Sequence, residues 1–145
     1  MTTSELIYDH AKRDLGLKEV DGPFSNPRIV LAISFAAPWL DKDDSKTAWC
    51  ACLRGLWAHE TQTGSPPAYY RAINWLKWGN KISNIALAKQ GDTVVLERKG
   101  GNHVGLFSSW DGKSDTFKLL GGNQSNQCSI ASFKISTIEG IRRMT

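Results

Sequence analysis

Apolar residues recur every three or four positions through the first half of the chain, and every second position through the last third. The first half therefore reads as helices. Thr2 and Glu5 have capping-box spacing, Leu6, Ile7, His10, Ala11 and Leu15 follow one helical face, and Gly16 ends it. Asn26 caps a second helix, Pro27 takes its first position, "RIVLAISFA" forms the body and Pro38 stops it. A polar loop, "DKDDSKT", leads to a third helix, "AWCACLRGLWA", with Thr47 as the expected cap. Ser65 with Pro66 and Pro67 predicts a fourth, carrying Tyr69, Ala72, Ile73 and Leu76 on one face and closed by Gly79.

Beyond about residue 90 the period becomes two. "DTVVLER", "HVGLFSSW", "TFKLL" and "CSIASFKI" read as strands. "KGGN", Asp111-Gly112 and "GGNQSNQ" read as the turns between them. Helices first and an antiparallel sheet second predict an α+β domain with the helices packed on the sheet. No linker or repeat divides the 145 residues, so residues 1–145 form one expected domain.

Composition changes this picture little. Hydrophobic residues make up 41% and charged residues 22%, enough for a packed core. The formal net charge of +4 favours approach to a polyanion, but no nucleic-acid-reading motif accompanies it. The longest apolar run, "IVLAISFAAPWL", is broken by Ser34 and Pro38 and is too short to span a bilayer. The first residues have no apolar signal core, so synthesis in a bacterial cytoplasm without a signal peptide is expected. Three cysteines, an odd number, argue against a disulfide framework.

Candidate chemistry centres on Cys50. It falls in the first turn of the third predicted helix, where unpaired N–H groups and the helix dipole favour an anion. Cys52 points about 200° around the same helix and reads as core. A zinc reading of Cys50, Cys52 and His59 fails on ligand spacing, so no metal or cofactor is expected. A thiol nucleophile needs a base. On a straight helix, His59 lies about 13 Å from Cys50 along the axis, beyond hydrogen-bond reach. His10 falls on the apolar face of the first helix and reads as a packed core residue. His103 opens a strand after Gly100-Gly101 and shares a face with Gly105, whose missing side chain could let a helix end come close. Asn123 or Gln124, at the far end of the next strand, can supply the carbonyl that orients the imidazole. Of the six tryptophans, Trp49 beside the nucleophile is the expected cleft residue, with Gln124 a further substrate contact.

"WCACL", "WLKWG", "GDTVVLER", "GGNHVGLF" and "LLGGNQS", in this order, resemble the small phage and prophage cysteine peptidases of the CHAP and NlpC kind. "GLKEVDGPFSNPRIV" is similar to the N-terminal segment of a short-chain group among them, so the likeness covers nearly the whole chain. It implies a papain-like core and a Cys50–His103–Asn123 triad. It also implies a monomeric endolysin-type enzyme that acts on bacterial peptidoglycan and needs no membrane or nucleic-acid partner. NlpC-type enzymes often have a histidine as third member; none follows His103 here, so an amide must serve. An interbacterial toxin with the same chemistry, or a non-catalytic wall-binding module, are the alternative expectations.

Overall fold

The computed structural model describes residues 1–20, 25–41 and 48–145. Helix α1 spans Thr3–Ala11 with the expected capping box between Thr2 and Glu5. Helix α2 spans Pro27–Ala36, with the Asn26 side chain accepting from the Arg28 N–H. Helix α3 spans Cys50–Thr61. The expected cap Thr47 and most of the "DKDDSKT" loop lie outside the described residues. Residue Trp49 occupies the N-cap position and supplies no capping hydrogen bond from its side chain, so the first amides of α3 are left to other partners.

The predicted fourth helix is a 3₁₀ segment, Ala72–Lys77. Its intended first turn is interrupted by Ala68, whose φ of +51° is incompatible with a right-handed helix. The chain is held there instead by the Trp75 indole N–H donating to the Tyr69 carbonyl at 2.9 Å.

The strands are β1 (Asn80–Ile82), β2 (Thr93–Arg98), β3 (Gly101–Ser109), β4 (Thr116–Gln124), β5 (Gln127–Lys134) and β6 (Ile138–Arg143). They form one six-stranded antiparallel sheet in the order β1-β6-β2-β3-β4-β5. The α+β expectation holds, with N-terminal helices before the main strands. The sheet is wider than expected, because β1 has only three residues and β6 lacks a clean alternation.

Both faces of the sheet are covered. On one, α3 packs Trp49, Cys52, Leu53, Leu56 and Trp57 against Leu106 and Leu120, and α1 and α2 close over them with Ile7, Ile29 and Ile33. Cys50 and Ala51 enter a neighbouring cluster with Trp75, Val95 and Val104. The opposite face has its own core of Val94, Leu96, Phe107, Phe117, Leu119 and Ile141. Arg28 ties the helices together, reaching Asp14 at 2.9 Å and Glu60 at 2.7 Å, while Asp14 also accepts the Trp57 indole N–H at 2.8 Å. His10 is half-buried and bonds Glu60 at 2.8 Å, a surface link rather than the packed core histidine expected. Among the described residues no helix is long and apolar enough to cross a membrane.

The turn before β2 joins these layers. Asp92 is fully buried, pairs with Arg143 of β6 at 2.7 Å and accepts from Ser4 of α1 at 3.2 Å. Gly91 lies against the Ser4 backbone, has φ +96°, and its N–H donates to the Phe107 carbonyl at 2.9 Å. A Cβ there would fall on the Ser4 carbonyl. Gly112 has a similar φ of +82° but open space around it. We expect Gly91→Ala to cost about 2–3 kcal/mol of stability and Gly112→Ala only about 1 kcal/mol, as measured by denaturant unfolding. Equal losses would show that the α1 contact at Gly91 carries no weight.

Candidate active site

The site forms where two neighbouring strands part. β3 and β4 pair at Ser109↔Lys118, Phe107↔Leu119 and Leu106↔Leu120. Before Leu106, β3 pairs with β2, and after Leu120, β4 pairs with β5. The N-terminal turn of α3 touches both separated strands. Gly122 of β4 lies so close that a Cβ would come within 2.7 Å of the Trp49 ring and 2.9 Å of Leu53. On the other side, the N–H of Val104 in β3 bonds the Cys50 sulfur. The glycine that admits the helix is therefore Gly122. Gly105, expected to do so, is instead filled by β4: a Cβ there would sit 2.8 Å from the Leu119 side chain and the Leu120 carbonyl.

Cys50 is the first residue of α3 and is 6% exposed. Burial pushes its thiol up from the usual value. The N–H groups of Val104, Ala51 and Cys50 itself, together with the Arg98 charge, act the other way by favouring the thiolate. Cys52 lies in a different core cluster and is pushed up to about 12 by burial. The two cysteines thus face apart, as the helix angle requires.

His103 is fully buried on the face of the sheet opposite α3, paired with Leu96 and with its ring centroid 5.5 Å from that of Phe133. Its Nε2 lies 3.0 Å from Gln124 Oε1. The Gln124 amide cannot turn over, because its Nε2 is surrounded by acceptors: Ser129 O at 2.8 Å, Leu119 O at 3.2 Å and Ser129 Oγ at 3.2 Å. Oε1 therefore faces the imidazole, and His103 Nε2 carries the proton that it accepts. The other ring nitrogen, Nδ1, holds a lone pair, and Arg98 Nη1 stands 3.4 Å from it. Burial is the main reason that His103 is pushed down to about 4; the Gln124 bond opposes this and the Arg98 charge adds to it.

The contact expected of Asn123 is thus made by Gln124, and the cause is a β-bulge. Gly121 pairs with Ser129 and Gln124 with Gln127, so β4 has one residue more than β5 over this stretch. Asn123 is the bulge residue, at φ +56°, a left-handed conformation that asparagine tolerates. The extra residue reverses the alternation, and Gln124 takes the face of Gly121 and His103. Gly121 keeps the space open: a Cβ there would come 2.5 Å from Gln124 Oε1 and 3.4 Å from His103 Nε2.

Trp49, expected in the cleft, is fully buried, with its indole N–H donating to Glu19 at 2.8 Å. His59 lies near the far end of α3, exposed, with its ring 4.3 Å from Phe35. Cys50 and His103 approach through adjoining backbone, since Val104 follows His103, but among the described residues no hydrogen bond links thiol to imidazole. Arg98 touches the imidazole and acts on the thiol through its charge alone. Its sequence signal was only a charged pair at a strand end, which does not single out a site.

No protein-family model matches this sequence, and no curated protein does.

A buried neutral imidazole makes stability depend on pH. The unfolded chain binds this proton near pH 6.5, and the folded chain only near 4. Between those values the unfolded state holds more protons, so stability is complete above about 6.5 and falls as the pH is lowered towards 4. We expect His103 to contribute a loss of about 3 kcal/mol across that window. The NMR titration of its ring should have a midpoint near 4. A midpoint at or above 6.5 would mean that the ring is not held neutral by burial.

Proposed function

We propose that this chain is a cysteine hydrolase of peptide or amide bonds, built on a papain-like core, and that it acts on the peptide stem of bacterial peptidoglycan. The observation that carries the chemistry is the placing of a thiol at a helix start beside a strand whose buried histidine is oriented by a fixed amide. The wall substrate is supported by the resemblance of the ordered motifs around Cys50, His103 and Gln124 to phage wall-cleaving peptidases.

In this reading Cys50 is the nucleophile, His103 the base and Gln124 the orienting residue. The lone pair on His103 Nδ1 takes the Cys50 proton as the sulfur attacks the carbonyl carbon. Gln124 Oε1 accepts the Nε2–H throughout and stabilises the imidazolium that forms. The N–H groups that face the Cys50 sulfur, above all that of Cys50 itself, lie where the oxyanion develops. His103 returns the proton to the leaving amine, a thioester remains on Cys50, and water drawn on by His103 hydrolyses it. The chemistry calls on these side chains alone. An endolysin role is the setting proposed, with lysis of the wall following synthesis in the host.

Purified sacculi, with mass spectrometry of the released muropeptides, test the proposal and identify the bond cut. Cys50→Ala should release nothing while keeping its circular dichroism spectrum, and Cys52→Ser should keep most activity. Release by a folded Cys50→Ala variant would end the thiol mechanism.

The third role can be tested against its neighbour. Gln124→Ala should lower turnover roughly ten- to a thousand-fold, about 1.4–4 kcal/mol of barrier. Asn123→Gly removes the side chain but accepts the bulge conformation, and should stay close to wild type. The reverse pattern would return the orienting role to Asn123.

A further inference from the structure

His103 Nδ1 is the atom that must take the thiol proton, and in this structure its neighbour is not the thiol but Arg98. The tautomer follows from the Gln124 amide, so Nδ1 offers a lone pair and the guanidinium N–H points at it. At 3.4 Å this is a weak bond to a neutral acceptor. Among the described residues Arg98 has no carboxylate partner; the arginine ion pairs there are those of Arg28 and Arg143. The residue is exposed at the end of β2, paired with Gly101. An exposed cation with no carboxylate partner among the described residues, resting on the base and close enough for its charge to favour the Cys50 thiolate, is a site for an anion. A carboxylate suits it better than imidazole does, because a charge-assisted and bidentate bond to arginine is shorter and roughly twice as strong as a neutral one.

Resting on the hydrolase reading above, we propose that Arg98 recognises a free carboxylate on the substrate next to the bond cut, and that this contact draws the guanidinium off His103 Nδ1 and frees it for the Cys50 proton. Arg98 is then a specificity determinant, and the resting enzyme holds its base covered until an acidic substrate arrives. The peptide stem of the wall offers such carboxylates, and their amidated forms would be poorer substrates.

The carboxylate site can be read without hydrolysis, by alkylating Cys50 with iodoacetate and with iodoacetamide. In both reactions the thiolate forms an S–C bond as iodide leaves, so the ratio of the two rates cancels the thiolate fraction and reports only preference for the carboxylate. Rates are followed at Cys50 by mass mapping of peptides. The iodoacetate-to-iodoacetamide ratio should fall about five- to tenfold in Arg98→Gln, the size of one modest charge contact. It should be partly kept in Arg98→Lys and unchanged in Lys99→Gln, which removes a neighbouring charge. An equal ratio in wild type and Arg98→Gln, or an equal fall in Lys99→Gln, overturns the site.

The second arm compares stem peptides that differ only as free carboxylate or carboxamide beside the cut. Wild type should favour the acid in kcat/KM, and Arg98→Gln should narrow that gap. Cleavage of both peptides at one rate by wild type overturns Arg98 as the specificity determinant while leaving the hydrolase standing. A wild type that cleaves neither, while its alkylation ratio still depends on Arg98, supports the carboxylate site and overturns the wall-stem reading alone.

Discussion

The separation of β3 from β4 beyond the Leu106–Leu120 pair is the constraint from which the site derives. Strands in a sheet lie close enough to satisfy each other's backbone, and nothing the size of a helix end fits between them. Once they part, each exposes a row of backbone groups that must find partners elsewhere. β4 stays paired with β5 along its other edge, and on β3 the Val104 N–H meets the Cys50 sulfur. The first turn of α3 has unpaired amides of its own, since Trp49 supplies no cap. Two sets of orphaned N–H groups thus converge on one sulfur. The same arrangement that solves a hydrogen-bonding problem at a helix start and a strand edge builds a place where negative charge is welcome.

That welcome is offset by burial. The thiol is pushed up and the imidazole down, so at neutral pH neither carries charge. A thiolate–imidazolium pair would have to be created against the desolvation of both groups. The surrounding donors lower this cost without removing it. Gln124 matters most in this respect. Its carbonyl is the partner that favours a protonated His103, and its amide hydrogens are committed to Ser129 and Leu119. It can support an imidazolium without itself turning away.

The order of elements was legible in the sequence because it rests on periodicity and caps. Thr2 with Glu5 and Asn26 with Pro27 start their helices where local chemistry says they should. Periodicity alone, without a visible cap, placed Cys50 in the first turn of α3 and His103 early in β3. Two things escaped. The Pro66-Pro67 segment looked helical, but Ala68 takes a left-handed conformation, and packing of Tyr69 against α3 decides the path of the chain. Strand alternation placed Asn123 and Gln124 on opposite sides, which is correct, but counting assumes one residue per step. A single bulge changes the parity, and nothing in "GGNQSNQ" distinguishes a seven-residue turn from two strands, a bulge and a tight hairpin at Ser125–Asn126. Both hairpin residues have positive φ, +53° and +63°, values that asparagine and, less readily, serine adopt.

A closed site must still admit a substrate, and the contacts decide what can yield. His103 is enclosed by Leu96, Phe133 and the Gln124 amide. Gln124 is held at both ends, and the α3 start is anchored by the Trp49–Glu19 bond and by the fit of Trp49 and Leu53 on Gly122. Moving any of these breaks buried hydrogen bonds or opens a cavity, each costing about 1–3 kcal/mol or more. Arg98 differs in kind. It is exposed, it has one long bond, and its departure uncovers the imidazole nitrogen without disturbing the core. The rigid parts of the site hold geometry, and among the described residues freedom is left to the exposed guanidinium of Arg98.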